Sequence, residues 1–165
     1  MGKMKIRETD KAYIAGFLDG DGSIHASIEP TKELKLKFRV RVTVDFTQDI
    51  HHEGQLIYIK KKISCGFISK TFSSRKSCKL SIKRREDVIE LLENLKPYVF
   101  SKRKQLILAL KILSISPKKI DNLEKMSLMA DKISSLNIVS RSRRKNRFII
   151  LKSLSPVTTD SRYAG

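Results

Sequence analysis

The run Asp19-Gly20-Asp21-Gly22 brings two carboxylates and two glycines together. Such a run can hold a divalent cation or simply make a turn. A calcium loop starting at Asp19 would need glycine at its sixth position and glutamate at its twelfth, and those positions hold Ile24 and Pro30. Upstream, Ala15, Gly16, Asp19 and Gly20 place small or short side chains three and four residues apart, the spacing of one helix face. Glycine inside a helix costs about 1 kcal/mol relative to alanine. Close approach of a second helix is the usual compensation. The chain carries this pattern once and has no internal repeat. The partner helix is therefore expected from a second copy, giving a two-fold homodimer in which two Asp21 carboxylates come together. Like charges so placed favour a cation, and Mg²⁺ uses few carboxylates, completing its shell with water and phosphate.

Such a site needs an anionic partner to finish it, and the composition points the same way. The chain has 165 residues, with 35 Lys plus Arg against 17 Asp plus Glu, a formal net charge of +18. With 40% hydrophobic residues it has enough apolar content to fold as one domain, expected over residues 1–157 with a disordered tail at 158–165. A folded domain this basic implies a polyanion, nucleic acid first. An anionic membrane surface ranks below it, because neither terminus carries a long apolar run or a basic amphipathic helix. Cys65 and Cys78 have no Cys or His at metal-ligand spacing and are expected as reduced thiols. The N-terminus has no apolar signal-peptide core, so an intracellular location is expected.

Helix and strand periods supply the frame. A helix is expected over 11–18, with Thr9 or Asp10 as its cap and the two glycines as its stop. Strict alternation marks strands at 23–29 and 39–46, joined by a polar, Lys-rich hairpin loop at 30–37. A helix at 50–63 follows, then strands at 67–72 and 77–83 joined by a turn, and helices at 86–95, 102–115 and 122–136. The order is αββαββα with a helical C-terminal extension, an α+β fold with an antiparallel sheet.

Both hairpins have an apolar inner face. Their outer faces carry Arg39, Arg41, Lys79 and Lys83 with Ser27, Thr43 and Ser81, and, on the strand at 67–72, Ser69 and Thr71. A solvated sheet is also polar outside. The mixture of arginine with small hydroxyls, on so basic a chain, points instead to the DNA major groove, where Arg forks onto guanine and Ser or Thr contacts several base edges. Lysines in the loops suit phosphates. Glu29 and Asp45 on the same face could accept from the cytosine amine.

The segment Ile14-Ala15-Gly16-Phe17-Leu18-Asp19-Gly20-Asp21-Gly22 resembles the LAGLIDADG motif at all nine positions, with conservative changes at Ile14, Phe17, Leu18 and Gly20. The hairpin-helix-hairpin order after it is also that of the LAGLIDADG homing endonucleases, the single-motif homodimeric group encoded in group I introns. The resemblance in layout covers residues 9–136. It implies a homodimer that binds a long pseudo-palindromic double-stranded DNA site and hydrolyses both strands using Mg²⁺, with Mn²⁺ as a substitute. It further implies that Asp21 is the metal carboxylate and the Gly20 carbonyl a second ligand, with Asp19 capping or bracing the helix end. Gln48, just past the second strand, then contacts the attacking water. The basic residue expected four positions later is His52, a departure from Arg or Lys that leaves it either a proton acceptor or a surface residue. Lys102 matches the family's second basic residue, a cation for the transition state, and is otherwise one more lysine in the run Lys102-Arg103-Lys104.

The densest charge cluster, Arg141, Arg143, Arg144, Lys145 and Arg147, is expected to grip DNA backbone without reading bases. Two other functions share the fold. One is an RNA maturase acting on intron RNA, disfavoured because Phe67 and Phe72 are the only candidate aromatics on the outer sheet face for base stacking. The other is a DNA-binding regulator that does not cut, against which Asp21 and Lys102 both argue. A bias toward Lys, Ile, Leu and Ser suggests an AT-rich coding sequence, and so a mitochondrion or chloroplast rather than a bacterial cytoplasm.

Overall fold

The computed structural model describes residues 4–72, 76–137, 146 and 150. The elements are α1 (Glu8–Asp21), β1 (Gly22–Pro30), β2 (Phe38–Asp49), a 3₁₀ turn (Ile50–His52), α2 (Glu53–Ile63), β3 (Phe67–Thr71), β4 (Ser77–Ile82), α3 (Arg85–Leu95), α4 (Arg103–Ser114) and α5 (Ile120–Leu136). This is the expected αββαββα order followed by two helices.

The two ends of α1 differ from the sequence expectation. Thr9 and Asp10 lie inside its first turn, not at its cap. Arg7 holds the cap position, and its carbonyl accepts from Lys11 N at 2.9 Å. Glu8 and Asp10 set negative charge against the positive end of the helix dipole. At the other end the helix does not stop at the first glycine but runs through Gly20 to Asp21. Gly22 ends it by closeness and not by an unusual backbone angle. Its φ is −96°, yet a Cβ there would sit 2.6 Å from Leu18 Cδ1 and 2.7 Å from Leu18 Cα. Gly66 is the contrasting case. At φ +87° it takes the left-handed backbone that opens the second hairpin.

The four strands form one antiparallel sheet in the order β1-β2-β4-β3. Its inner face is the apolar set that alternation identified. Ile24 and Ile28 of β1, Val42, Val44 and Phe46 of β2, and Cys78, Leu80 and Ile82 of β4 are all buried. Each helix lays its own stripe into the same core, as Ile14, Ala15 and Leu18 of α1 and Leu56, Ile59 and Ile63 of α2 illustrate. The helices thus cover one face and leave the other open. The C-terminal helices flank β1. Asn137 Nδ2 donates to Ile24 O at 3.0 Å and Ile28 N donates to Asn146 Oδ1 at 2.9 Å, occupying backbone groups of this edge strand. Both cysteines are free, and burial pushes the Cys65 thiol up to about 11, which keeps it an inert thiol.

Candidate active site and nucleic-acid face

Asp19 and Asp21 stand in the last turn of α1, where helix carbonyls already concentrate negative charge and where no basic residue of the helix offsets them. Two devices manage that charge. The first is the connection between α3 and α4. Asp19 Oδ2 accepts from Phe100 N at 2.7 Å and Asp19 Oδ1 from Lys102 N at 2.9 Å, while Lys102 Nζ donates to the Asp19 carbonyl at 2.6 Å. Asp19 therefore braces the helix end, and it delivers a lysine ammonium to the negative pole of α1.

The second device is Gln48. Its amide nitrogen donates to Asp21 Oδ2 at 3.0 Å, and its carbonyl accepts from Asp49 N at 3.0 Å. The backbone donor fixes which end of the amide faces Asp21. Gln48 is part of β2, next to the strand's last residue, and not just past it as the sequence suggested. A strand position holds the side chain more rigidly than a loop would. Asp21 itself is exposed and Gly20 has open space around it. Beside them a cleft of about 560 Å³ is lined by Asp19, Gly20, Ser23, His25, Lys102 and Asn137 among others. Ser23, His25 and Asn137 are lining residues that sequence reasoning did not single out, although the place of Ser23 and His25 among the polar positions of β1 was visible.

His52 ends the 3₁₀ turn before α2 and is exposed. Among the described residues no hydrogen bond or ion pair joins it to Asp21. Of the four small residues expected to share a free helix face, Gly16 and Gly20 do so, with nothing among the described residues within 4 Å of where a Cβ would stand at either. Asp19 is half-buried at the edge of that face. Ala15 is a correction: it is fully buried in the chain's own core beside Ile14 and Leu18, because it lies one position round the helix from Gly16. Ala12 is exposed and continues the free stripe as Ala12, Gly16 and Gly20.

The donor set is all oxygen and amide. Among the described residues no cluster of three or more His, Cys, Asp or Glu could hold a metal. One exposed carboxylate with helix-end carbonyls fits a hard, oxygen-preferring ion such as Mg²⁺, but only with further ligands from another molecule.

On the open face of the sheet, register puts the polar residues in cross-strand rows. Ser23, Asp45, Ser81 and Phe67 form one row, and Thr47, Lys79 and Ser69 the next. Toward the far end of the β1–β2 hairpin lie His25 with Thr43, Ser27 with Arg41, and Glu29 with Arg39. Thr71 pairs with Ser77, and Lys83 is exposed just beyond β4. The two acids on this face are already engaged. Asp45 is buried, accepts from Ser81 Oγ at 2.6 Å, and has Lys79 Nζ at 3.8 Å and His25 Nε2 at 4.0 Å. Glu29 accepts from Ser27 Oγ at 3.1 Å and pairs with Arg41 Nε at 3.2 Å. They hold cationic and hydroxyl side chains in place and are less free for a cytosine amine than alternation implied. Arg39 pairs with Glu33 of the hairpin loop. The cluster Arg141, Arg143, Arg144, Lys145 and Arg147 and the tail at 158–165 lie outside the described residues.

The profile of the LAGLIDADG endonuclease family matches residues 14–113. The chain belongs to the LAGLIDADG endonuclease family. Among curated proteins it is 32% identical over 127 residues to the DNA endonuclease I-CvuI of Chlorella vulgaris, covering 76% of this chain and 78% of that one. It is 31% identical over 128 residues to the DNA endonuclease I-CreI of Chlamydomonas reinhardtii, covering 76% and 77%. The crystal structure of I-CvuI in complex with its target in 2 mM Ca superposes with a TM-score of 0.78 at 28% identity, over 88% of this chain and 94% of that one. The archaeal intron-encoded I-Vdi141I complexed with DNA shares the LAGLIDADG fold at a TM-score of 0.75 and 18% identity, over 88% of this chain and 94% of that one.

Proposed function

We propose that this chain is a homing endonuclease: two copies pair through α1, hold a long pseudo-palindromic DNA duplex on their sheets, and hydrolyse one phosphodiester in each strand with Mg²⁺, or with Mn²⁺ in its place. The observation that carries the reading is the Gln48–Asp21 contact at 3.0 Å at the end of a helix whose free face is Ala12, Gly16 and Gly20. The relatives named as DNA endonucleases, and the I-CvuI complex with its target, support it.

Residues of this chain divide the work. Pairing of two glycine-lined helices brings two Asp21 carboxylates to one place, and with the Gly20 carbonyls they would hold the metal. The bound metal supplies charge that polarises the phosphoryl oxygen and makes a water more acidic. The Gln48 amide fixes the Asp21 carboxylate and is placed to orient a water beside it. Lys102, tethered to the helix end, sets an ammonium where negative charge grows on the phosphate. Water oxygen bonds to phosphorus and gives up a proton to solvent, the bond from phosphorus to the 3′ oxygen breaks, and the departing oxygen takes a proton from solvent. His52 stands outside this set. Arg39, Arg41, Thr43, Ser69, Thr71, Lys79 and Lys83 face the groove, Glu29 with Ser27 holding Arg41, and Asp45 with Ser81 standing beside Lys79. The bias toward Lys, Ile, Leu and Ser, which suggests an AT-rich coding sequence, fits an organelle genome as the home of the gene.

The test is incubation of the full chain with a plasmid library of candidate insertion sites, in Mg²⁺, in EDTA, and as Asp21→Asn. Discrete double-strand cuts that require both Mg²⁺ and Asp21 are expected. Tight, salt-sensitive duplex binding with no cut in any arm would replace the nuclease by a DNA-binding regulator.

A further inference from the structure

Phe67 is the first residue of β3 and is 69% exposed. Its register partner is Ser81, which faces Asp45, which faces Ser23. Ser81 Oγ donates to Asp45 across the outer face of the sheet, so the phenyl ring stands on that face and not among the helices. It is a large apolar group in an otherwise polar surface, beside Ser69 and Lys79 in the adjoining row. The row it ends begins at Ser23, two residues after Asp21. The ring is therefore close, along the strands, to the level of the cutting carboxylate, while Arg39 and Arg41 lie toward the far end of the hairpin.

In the major groove one base edge offers an apolar group, the 5-methyl of thymine, and a phenyl ring is among the side chains that contact it. The neighbours of Phe67 leave little else for it to recognise. Of the charged residues that register places near it, Asp45 is held by Ser81, and Lys79 is drawn toward Asp45 at 3.8 Å. We infer that Phe67 is a specificity-determining residue that reads a thymine 5-methyl in the cut-proximal part of each half-site. The inference rests on the endonuclease reading above and deepens it. Because the protein pairs two-fold, the thymine recurs at mirror-related positions of the two half-sites.

The experiment selects bound duplexes from a library randomised over the half-site, using the full chain and Phe67→Ser in Ca²⁺ so that binding is read without cutting. A thymine preferred by the wild type and no longer preferred by Phe67→Ser, at one symmetric pair of positions, is expected. At those positions deoxyuridine in place of thymidine weakens wild-type binding about fourfold for each position replaced, the loss of one buried methyl apiece, and so about 15-fold for the pair, and leaves Phe67→Ser unchanged. There 5-methylcytosine improves on cytosine for the wild type alone. Phe67→Leu, which keeps an apolar side chain, retains the preference. An identical base profile for wild type and Phe67→Ser overturns the inference and leaves the endonuclease reading standing. Failure of the wild type to retain any duplex overturns both. A Phe67→Ser defect confined to single-stranded RNA assigns the ring to base stacking and also overturns the inference. Melting curves of the variants check the fold, which an exposed side chain should barely affect.

Discussion

Lys102 reaches the carbonyl of Asp19 with its ammonium at 2.6 Å while its own backbone N–H is held by the Asp19 carboxylate at 2.9 Å. The two residues thus clasp each other at both ends, and the clasp joins α1 to α4. It makes the lysine part of the helix terminus, where an unattached lysine would spread its charge over several rotamers.

From this clasp follows a separation of roles. Lys102→Met keeps the backbone half and removes the ammonium. Cleavage is expected to fall on the order of 100-fold, as for loss of one preorganised charge-stabilising donor, with duplex affinity and melting temperature close to wild type. Asp19→Asn instead leaves one of two backbone donors without a carboxylate oxygen, and should lower unfolding stability by roughly 1–2 kcal/mol. Single-turnover cleavage and chemical denaturation of both variants distinguish them. Equal loss of stability in both would mean that Lys102 is a structural residue only.

Gln48→Glu tests whether the neutral amide is what Asp21 needs. The glutamate replaces an amide that donates to Asp21 at 3.0 Å by a second carboxylate, which repels it. The variant is expected to cut more slowly than wild type and to show an acid limb of its pH–rate profile displaced upward. Gln48→Ala should slow cutting without moving that limb. A profile for Gln48→Glu that overlays wild type would remove Gln48 from the site.

Much of this arrangement was legible in the sequence, and the exceptions share a cause. Period 2 assigned the faces of β1 and β2 correctly because one side of the sheet is buried, and the pairing of those strands then fixes which residues meet. The motif placed Asp21 and Gly20. Local rules failed where tertiary partners overrode them. Asp10 reads as a helix cap, but Arg7, Tyr58 and Lys62 draw its carboxylate away. Ala15 reads as interface by size, yet it lies on the stripe with Ile14 and Leu18. Spacing alone also could not show that Asp45 would be held by Ser81, since that contact depends on the β2–β4 register between residues 36 apart in sequence.

Asp10 also gives the fold a dependence on acid. Hydrogen bonds from the Tyr58 hydroxyl at 2.6 Å and from Arg7 Nε at 3.0 Å, with Lys62 Nζ at 3.0 Å, hold its carboxyl well below the usual carboxylate range. A carboxylate whose folded-state pKa is depressed contributes stability that is present above its unfolded value, near 4, and is lost as pH falls toward the folded one. The melting temperature of the wild type should therefore drop through the acid range more steeply than that of Asp10→Asn, which starts lower at neutral pH. Tyr58→Phe should lie between them. Parallel curves for wild type and Asp10→Asn would show that the cluster contributes nothing to the acid response.

The free stripe on α1 makes the sharpest demand. Among the described residues nothing lies within 4 Å of where a Cβ of Gly16 would stand, so no contact among them requires a glycine there. On helix propensity alone, Gly16→Ala should stabilise the isolated chain by up to about 1 kcal/mol. If the glycine exists to let a second α1 approach, the effect on the assembled protein has the opposite sign. Gly16→Leu, which no described neighbour within 4 Å of its Cβ opposes, should keep its helical circular dichroism, sediment as a monomer at concentrations where the wild type is a dimer, and lose double-strand cutting because no second Asp21 arrives. A Gly16→Leu protein that remains dimeric and active would refute pairing through this face, and with it the route by which two Asp21 carboxylates meet.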